Sequence, residues 1–384
     1  MKNRRRLRKI LLWSSVGLLT LVLLLGLSVW FLAGTQGGTE FLFTRLGALM
    51  PGSLEVAELR GPLRGPLDIR GLKYEREGFS MNIERVQLEW RLRELADRQL
   101  DIQRLYADGV RIVTTPSEEQ KERSALPDLN LRFNIIVRDA RVRDLSFASS
   151  AAEPGEKPFV IDSIDLATTA MGGDVRVDSL AVRSPTFDAD VNGKVRPQGD
   201  YPVDLNVRWA LRLPDMAPLS GAGKLTGTLE DLQVSQSLRE PFDVQADLRL
   251  IEPLYELRFA GTISAPRFNP RLIKPDLPDI PGEARITAEG TITNFTAKGN
   301  VRGTLPETGP VSADFQASRA GETGEQWLIQ RADIALVGTP TRLTAQGTVT
   351  TGDTGEEVRF DGEASWRNLA WPLRGAQPMV VSRQ

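Results

Sequence analysis

The chain has 384 residues and contains no cysteine and no histidine. Their absence excludes disulfides, thiol nucleophiles, Ser-His catalysis and the usual zinc and haem ligands. The formal net charge is −2, and without the six cations of residues 1–9 the balance is 42 basic against 50 acidic residues. This mildly acidic body argues against nucleic acid as a partner. We expect neither a cofactor nor a bound metal.

The first 33 residues have the pattern of a membrane anchor. Residues 1–9 form a basic cytoplasmic head, and residues 10–33 follow without a charged side chain. About 20 apolar residues suffice for a helix to cross a bilayer. The alternative is a cleaved secretory signal, but its apolar core is usually about 7–15 residues long. We therefore predict an uncleaved transmembrane signal anchor, with everything after it exported across the membrane.

Residues 34–52 are predicted as a membrane-proximal helical segment. The helix itself is expected from Thr39 to Met50, with Thr39 as its cap and Pro51-Gly52 as its end. Its apolar side chains either pack on the first strands or lie in the membrane interface. These side chains are Phe41, Leu42, Leu46 and Leu49.

From residue 53 onward, apolar and polar residues alternate with the period of a β-strand, which predicts a mainly β protein with one apolar and one solvated face. A short helix is expected at Leu92–Gln99. Residues 266–282 contain five prolines and are predicted as a loop. This loop bulges from the sheet or divides it into a first part, 53–265, and a second part, 283–384. The clearest alternating runs are Val203, Leu205, Val207, Trp209, Leu211 and Phe242, Val244, Ala246, Leu248, Leu250.

A seven-residue pattern, apolar-x-apolar-x-Gly-x-apolar, recurs six times in the β region. Each glycine is in phase with the apolar residues, a mid-strand position that often marks a bend. A long antiparallel sheet bent at these positions becomes a β-taco groove with an apolar interior. A closed sandwich or a solenoid with a filled core accounts for the same stripes, although the irregular spacing argues against a strict solenoid. The six glycines are Gly193, Gly261, Gly290, Gly299, Gly347 and Gly362.

Candidate groove-lining residues are the large apolar side chains of these runs, and each of them could equally be an ordinary core residue. The acid pair Asp188 and Asp190 could be imagined in a hydrolase, but both residues fall on the solvated face of a strand. No nucleophile elbow or phosphate loop occurs, so we do not expect an enzyme. The lining candidates are Val207, Trp209, Val244, Leu248, Phe259, Ile263 and Ile292.

Several short motifs follow one another in an order that resembles a known family. They are LRGPL at 59–63, LDIRGLKY at 67–74, VQLEW at 86–90, LYADGV at 105–110 and WRNLAWPL at 366–373. Together with the basic head and the apolar span, they resemble the N-terminal part of the TamB family. These are AsmA-like envelope proteins of Gram-negative bacteria, and bridge-like lipid-transfer proteins share their architecture.

The resemblance implies an inner-membrane anchor, a periplasmic β-taco groove and transport of phospholipid between inner and outer membranes in outer-membrane biogenesis. The alternative it implies is a scaffold for the assembly of secreted autotransporters with a TamA-type outer-membrane barrel. Members of the family are longer than this chain. We therefore expect a truncated second part of the sheet, and contact with the barrel only through a missing C-terminal region.

Overall fold

The computed structural model describes residues 34–49, 51–115, 133–151, 157–254, 256–306, 308–319, 326–351, 358–368, 370–371 and 379–380. The predicted basic head at residues 1–9 and the predicted anchor at residues 10–33 lie outside these ranges. Within the described ranges, no helix has the length and apolar character needed to cross a bilayer.

The described chain is mainly β-strand, as the alternation predicts. Helix α1 spans Gln36–Leu49, helix α2 spans Pro270–Ile273, and a single 3₁₀ helix at Leu92–Asp97 stands where a short helix is expected. The strands are β1 (Ser53–Arg60), β2 (Leu67–Arg76), β3 (Phe79–Arg91), β4 (Gln99–Thr114), β5 (Asn134–Ser149), β6 (Phe159–Met171), β7 (Asp174–Arg183), β8 (Phe187–Val195), β9 (Val203–Leu211), β10 (Leu219–Gly227), β11 (Asp231–Glu240), β12 (Val244–Ile251), β13 (Arg258–Phe268), β14 (Gly282–Thr291), β15 (Phe295–Leu305), β16 (Gly309–Arg319), β17 (Gln326–Leu336), β18 (Arg342–Thr351), β19 (Val358–Arg367), β20 (Ala370–Trp371) and β21 (Met379–Val380).

Strands β1–β19 belong to one hydrogen-bonded sheet, and β20 and β21 form a separate two-stranded ribbon. The described registers join sequence neighbours in antiparallel pairs, with one exception: β4 and β5 run parallel. The prediction of a wholly antiparallel sheet is therefore wrong at this pair. Parallel neighbours need a crossover of a dozen residues or more, and the segment between Thr114 and Asn134 supplies that length.

The chain divides into two compact units. The first contains α1 and β1–β6, and the second contains β8–β19; residues of β7 fall in both. In the second unit, the predicted proline-rich loop joins β13 to β14, which pair directly with each other. Helix α2 lies in this connection, and the carbonyl of Ile273 accepts a hydrogen bond of 2.8 Å from the N–H of Ala217.

The first unit has a small hydrophobic core. Val110, Leu145 and Ile161 lie on β4, β5 and β6, and each is at most 9 % exposed. Partly buried side chains of the same strands and of β3 pack around them. Other large apolar side chains of the unit stay exposed, among them Phe133, Phe147 and Phe159.

Helix α1 is confirmed, but it begins at Gln36 and Thr39 is not its cap. The Thr35 hydroxyl accepts a hydrogen bond of 3.2 Å from the N–H of Gly38, which makes Thr35 the capping residue. Thr39 is fully buried instead. Its hydroxyl donates to the Thr35 carbonyl and accepts a 2.9 Å hydrogen bond from the N–H of Leu63, tying the helix to the chain after β1.

A buried carboxylate joins the parallel strands of the first unit. Asp101 on β4 has no exposed surface. The Arg138 guanidinium on β5 donates to both of its oxygens at 3.0 Å, and the Gln103 amide donates to one of them at 2.6 Å. The hydrogen bonds from Arg138 hold the pKa of Asp101 below its usual range, although burial alone would raise it.

This ion pair makes the stability of the first unit depend on pH. Because the folded-state pKa of Asp101 lies below its unfolded value, its stabilisation is present above about pH 4 and is lost as pH falls through the folded pKa. We expect Asp101→Asn to lower the free energy of unfolding by on the order of 2 kcal/mol near neutral pH, and by progressively less below about pH 4.

Urea unfolding at a series of pH values, followed by hydrogen exchange in β4 and β5, measures this difference. The control is Asp165→Asn, since that carboxylate is half-exposed in its 3.5 Å ion pair with Arg141 and should contribute less than about 1 kcal/mol. A difference between the wild-type chain and Asp101→Asn that stays constant down to about pH 2 would contradict the assignment.

Candidate functional site

In the second unit, the strand registers place alternating residues in rows that cross β8–β19. We call the middle one the central row, and the side of the sheet that carries it the apolar face. From β8 to β19 the central row consists of Gly193, Leu205, Leu225, Val234, Leu248, Gly261, Ala288, Ala297, Ala317, Ile329, Gly347 and Gly362.

Two further rows flank the central row on the same face. The aromatic row consists of Val195, Val203, Gly227, Leu232, Leu250, Phe259, Gly290, Phe295, Arg319, Trp327, Val349 and Phe360. The aliphatic row consists of Val191, Val207, Gly223, Gln236, Ala246, Ile263, Ile286, Gly299, Phe315, Ala332, Ala345 and Ala364. The three rows together form a continuous apolar strip across twelve strands.

The large side chains of the apolar face are only partly buried. Trp209, Leu248 and Phe259 are half-buried, and Ile263 is 42 % exposed. The substantial contacts between the described elements of this unit are all between neighbouring strands. Strands β8–β19 all belong to one sheet, and the other described sheet of this unit is the two-stranded ribbon β20–β21. Some smaller residues of the rows are buried, since Val203, Ala297 and Ala317 are at most 9 % exposed.

Most of the predicted lining residues share this face. Val207 and Ile263 stand in the aliphatic row, Phe259 in the aromatic row and Leu248 in the central row. Trp209 and Val244 lie one step beyond the aliphatic row, opposite Gly221 and Leu238 respectively. Ile292 does not lie on a strand: it is in the turn between β14 and β15 and is 61 % exposed. Contact of these side chains with a ligand stays a prediction.

The six pattern glycines all lie on the apolar face, four of them in the central row. The exceptions are Gly290 in the aromatic row and Gly299 in the aliphatic row. A Cβ atom at any of the six would fall 2.1–2.7 Å from a backbone carbonyl oxygen of the adjacent segment, which is too close for any side chain. Gly193 also has a φ of +141°, a conformation that L-residues rarely adopt. The rows therefore require glycine at these six positions. That the sheet bends along them stays a prediction.

A cluster of aromatic rings was not predicted from the sequence. The rings of Phe259 and Phe295 have centroids 5.9 Å apart, and those of Phe295 and Trp327 are 5.5 Å apart and nearly perpendicular. Gly290 stands between the first two in the aromatic row, and its missing side chain leaves room for the rings to meet. Only the structure reveals this set, because it depends on the register of β13–β17.

The opposite face of the second unit is polar and rich in ion pairs. Asp188, one member of the imagined acid pair, is held by two hydrogen bonds of 2.7 and 3.0 Å from the Arg212 guanidinium. On the same face, Arg249 hydrogen-bonds to Asp231 and lowers the pKa of that carboxyl. No cluster of acidic side chains that could hold a metal ion occurs among the described residues.

A large sheet with a continuous apolar face and an opposite face of paired charges defines a β protein that presents apolar surface along many strands. The family model of the TamB N-terminal domain matches residues 24–148 and 115–346. The chain therefore belongs to the TamB family, as the order of its short motifs indicates. No solved structure matches the chain.

The close approach of backbone carbonyl oxygens to the glycines of the central row predicts that replacing one of these glycines lowers the free energy of unfolding. We expect Gly193→Ala to destabilise the second unit by about 1–3 kcal/mol, because its Cβ would strike the Asp204 carbonyl oxygen, 2.1 Å away, and its φ would be strained. Urea unfolding followed by hydrogen exchange in β8 and β9 measures the loss. The control is Lys194→Ala, the next residue, whose side chain is exposed; equal effects of the two substitutions would refute the steric argument.

Proposed function

We propose that the apolar face of the second unit carries the acyl chains of phospholipid, in a groove through which lipid passes between the inner and the outer membrane. The observation that supports this proposal most directly is the apolar strip, which continues across twelve strands with one charged residue among its three rows and keeps its large side chains partly exposed. Lipid headgroups would remain in water at the strand ends.

Burial of methylene groups supplies the driving force for such a conduit, at about 0.8 kcal/mol per group. One acyl chain occupies half of a hydrocarbon core of about 30 Å, or roughly 15 Å. Laid along a row, it would cover about three strand spacings of about 4.8 Å. Twelve strands therefore offer several overlapping positions of similar affinity, and a lipid can move between them without leaving an apolar surface. Nothing in this transfer requires a catalytic residue.

Membership in the TamB family supports an envelope location, and the basic head with its apolar span supports an anchor in the inner membrane. In this proposal the described sheet lies in the periplasm. A TamA-type barrel as partner belongs to the same proposal and rests on the family alone.

The alternative function is a scaffold that accepts a strand of an outer-membrane protein by β-augmentation. It would use the backbone of an edge strand rather than the apolar face. Bound phospholipid therefore separates the two functions, since a scaffold has no use for lipid on its sheet.

Leu248→Asp tests the conduit. Leu248 is half-buried in the central row, and an aspartate there would put a charge in the path of the acyl chains. We expect the purified full-length chain to retain at least tenfold less phospholipid after this change, as measured by lipid mass spectrometry after incubation with phospholipid vesicles. The control is Gln245→Asp, on the same strand but with its side chain exposed on the polar face.

Folding of each variant is checked by circular dichroism, so that lost lipid is not confused with lost structure. Wild-type chain that is folded and free of lipid would refute the conduit and favour the scaffold. Equal loss in both variants would show that the charge, and not the apolar face, decides retention.

A further inference from the structure

Arg319 is a charged residue in an otherwise uncharged surface. Among the residues that make up the three described rows, it is the only one with a charge. It is the last residue of β16, at the strand ends that carry the aromatic row. Its register partners are Phe295 on one side and Trp327 on the other.

The surroundings of Arg319 are apolar and partly closed. The rings of Phe295 and Trp327 meet across its position, with centroids 5.5 Å apart. Arg319 as a residue is half-buried, and its Nε atom is buried without a hydrogen-bond partner among the described residues. A buried N–H that makes no hydrogen bond costs free energy, and the cost is larger when the group is charged. An anion that accepts this hydrogen bond would remove that cost.

We propose that Arg319, framed by Phe295 and Trp327, binds the phosphate group of a lipid whose acyl chains lie on the adjacent central row. The guanidinium is planar and offers paired N–H donors that match phosphate oxygens better than a lysine ammonium does. The two rings form an apolar wall beside the acyl chains. The conduit then contains one defined binding site, which holds lipids with a phosphate in preference to lipids without one.

This inference rests on the proposed function, because it needs acyl chains on the apolar face. It adds a discrimination between headgroups that the apolar rows alone cannot make. A purely apolar strip would hold phospholipid and diacylglycerol of the same chain length equally well, since the methylene groups that it buries are the same.

The experiment compares the full-length chain with Arg319→Leu. Each is incubated with vesicles that contain dioleoyl phosphatidylglycerol and dioleoylglycerol in equal amounts, and the retained lipids are counted by mass spectrometry. We expect the wild-type chain to favour the phospholipid by about tenfold and Arg319→Leu to retain both lipids in similar amounts. The control is Arg285→Leu on β14, whose register partners Ser264 and Asn300 put it on the polar face; it should keep the wild-type ratio.

Two further arms identify the ligand and the role of the arginine. Glycerol phosphate, which has the headgroup chemistry without the chains, should not displace bound phospholipid at millimolar concentration; displacement would assign the site to a free phosphate compound and overturn the proposal. Arg319→Leu should unfold no earlier than the wild-type chain, because it removes a buried Nε–H that has no hydrogen-bond partner among the described residues. An earlier unfolding together with an unchanged lipid ratio would make Arg319 a structural residue.

The outcomes also separate this inference from the function on which it rests. Wild-type chain that retains both lipids equally would refute the phosphate site and leave the conduit intact. Wild-type chain that retains neither lipid would refute the conduit itself.

Discussion

The structure of the second unit depends on the phase of its alternation being kept from strand to strand. A slip of one residue in any pair would turn the apolar residues of a strand to the polar face. The β16–β17 pair shows how the phase is kept: Ile329 and Ala332 are three positions apart in sequence, and a bulge between them returns both to the apolar face. The continuous strip, and with it the proposed path for acyl chains, exists only because every register agrees.

The two units use the same alternation in different ways. In the first unit, side chains such as Val110 and Leu145 are buried in a hydrophobic core, and the buried Asp101 carboxylate pairs with a half-exposed arginine on the neighbouring parallel strand. In the second unit, most large side chains of the strip are only partly buried, while Ala297 and Ala317 in its middle are buried. Burial of apolar side chains stabilises a domain, and side chains of the same kind that stay partly exposed present apolar surface.

The sequence predicts much of this fold, because alternation is a local property. The strand class, α1 and the common face of the six pattern glycines follow from periodicity. The parallel pairing of β4 and β5 does not, since it depends on where a long crossover returns. The proposed phosphate site at Arg319 could not be predicted for a related reason. Arg319, Phe295 and Trp327 lie on three different strands, and only the registers of those strands make them neighbours. Thr39 was misassigned because a threonine near a helix start has the same local pattern whether it caps the helix or is buried against another segment.

The most direct test of the central claim is photo-crosslinking along the sheet of the full-length chain in phospholipid membranes. A benzophenone amino acid would be placed at Leu225, Leu248 and Ile329 in the central row, and at Lys224 and Gln245 on the opposite face. The conduit predicts phospholipid adducts at all three central positions and none at the other two. Adducts that are absent from the central row, or equally frequent on both faces, would contradict it.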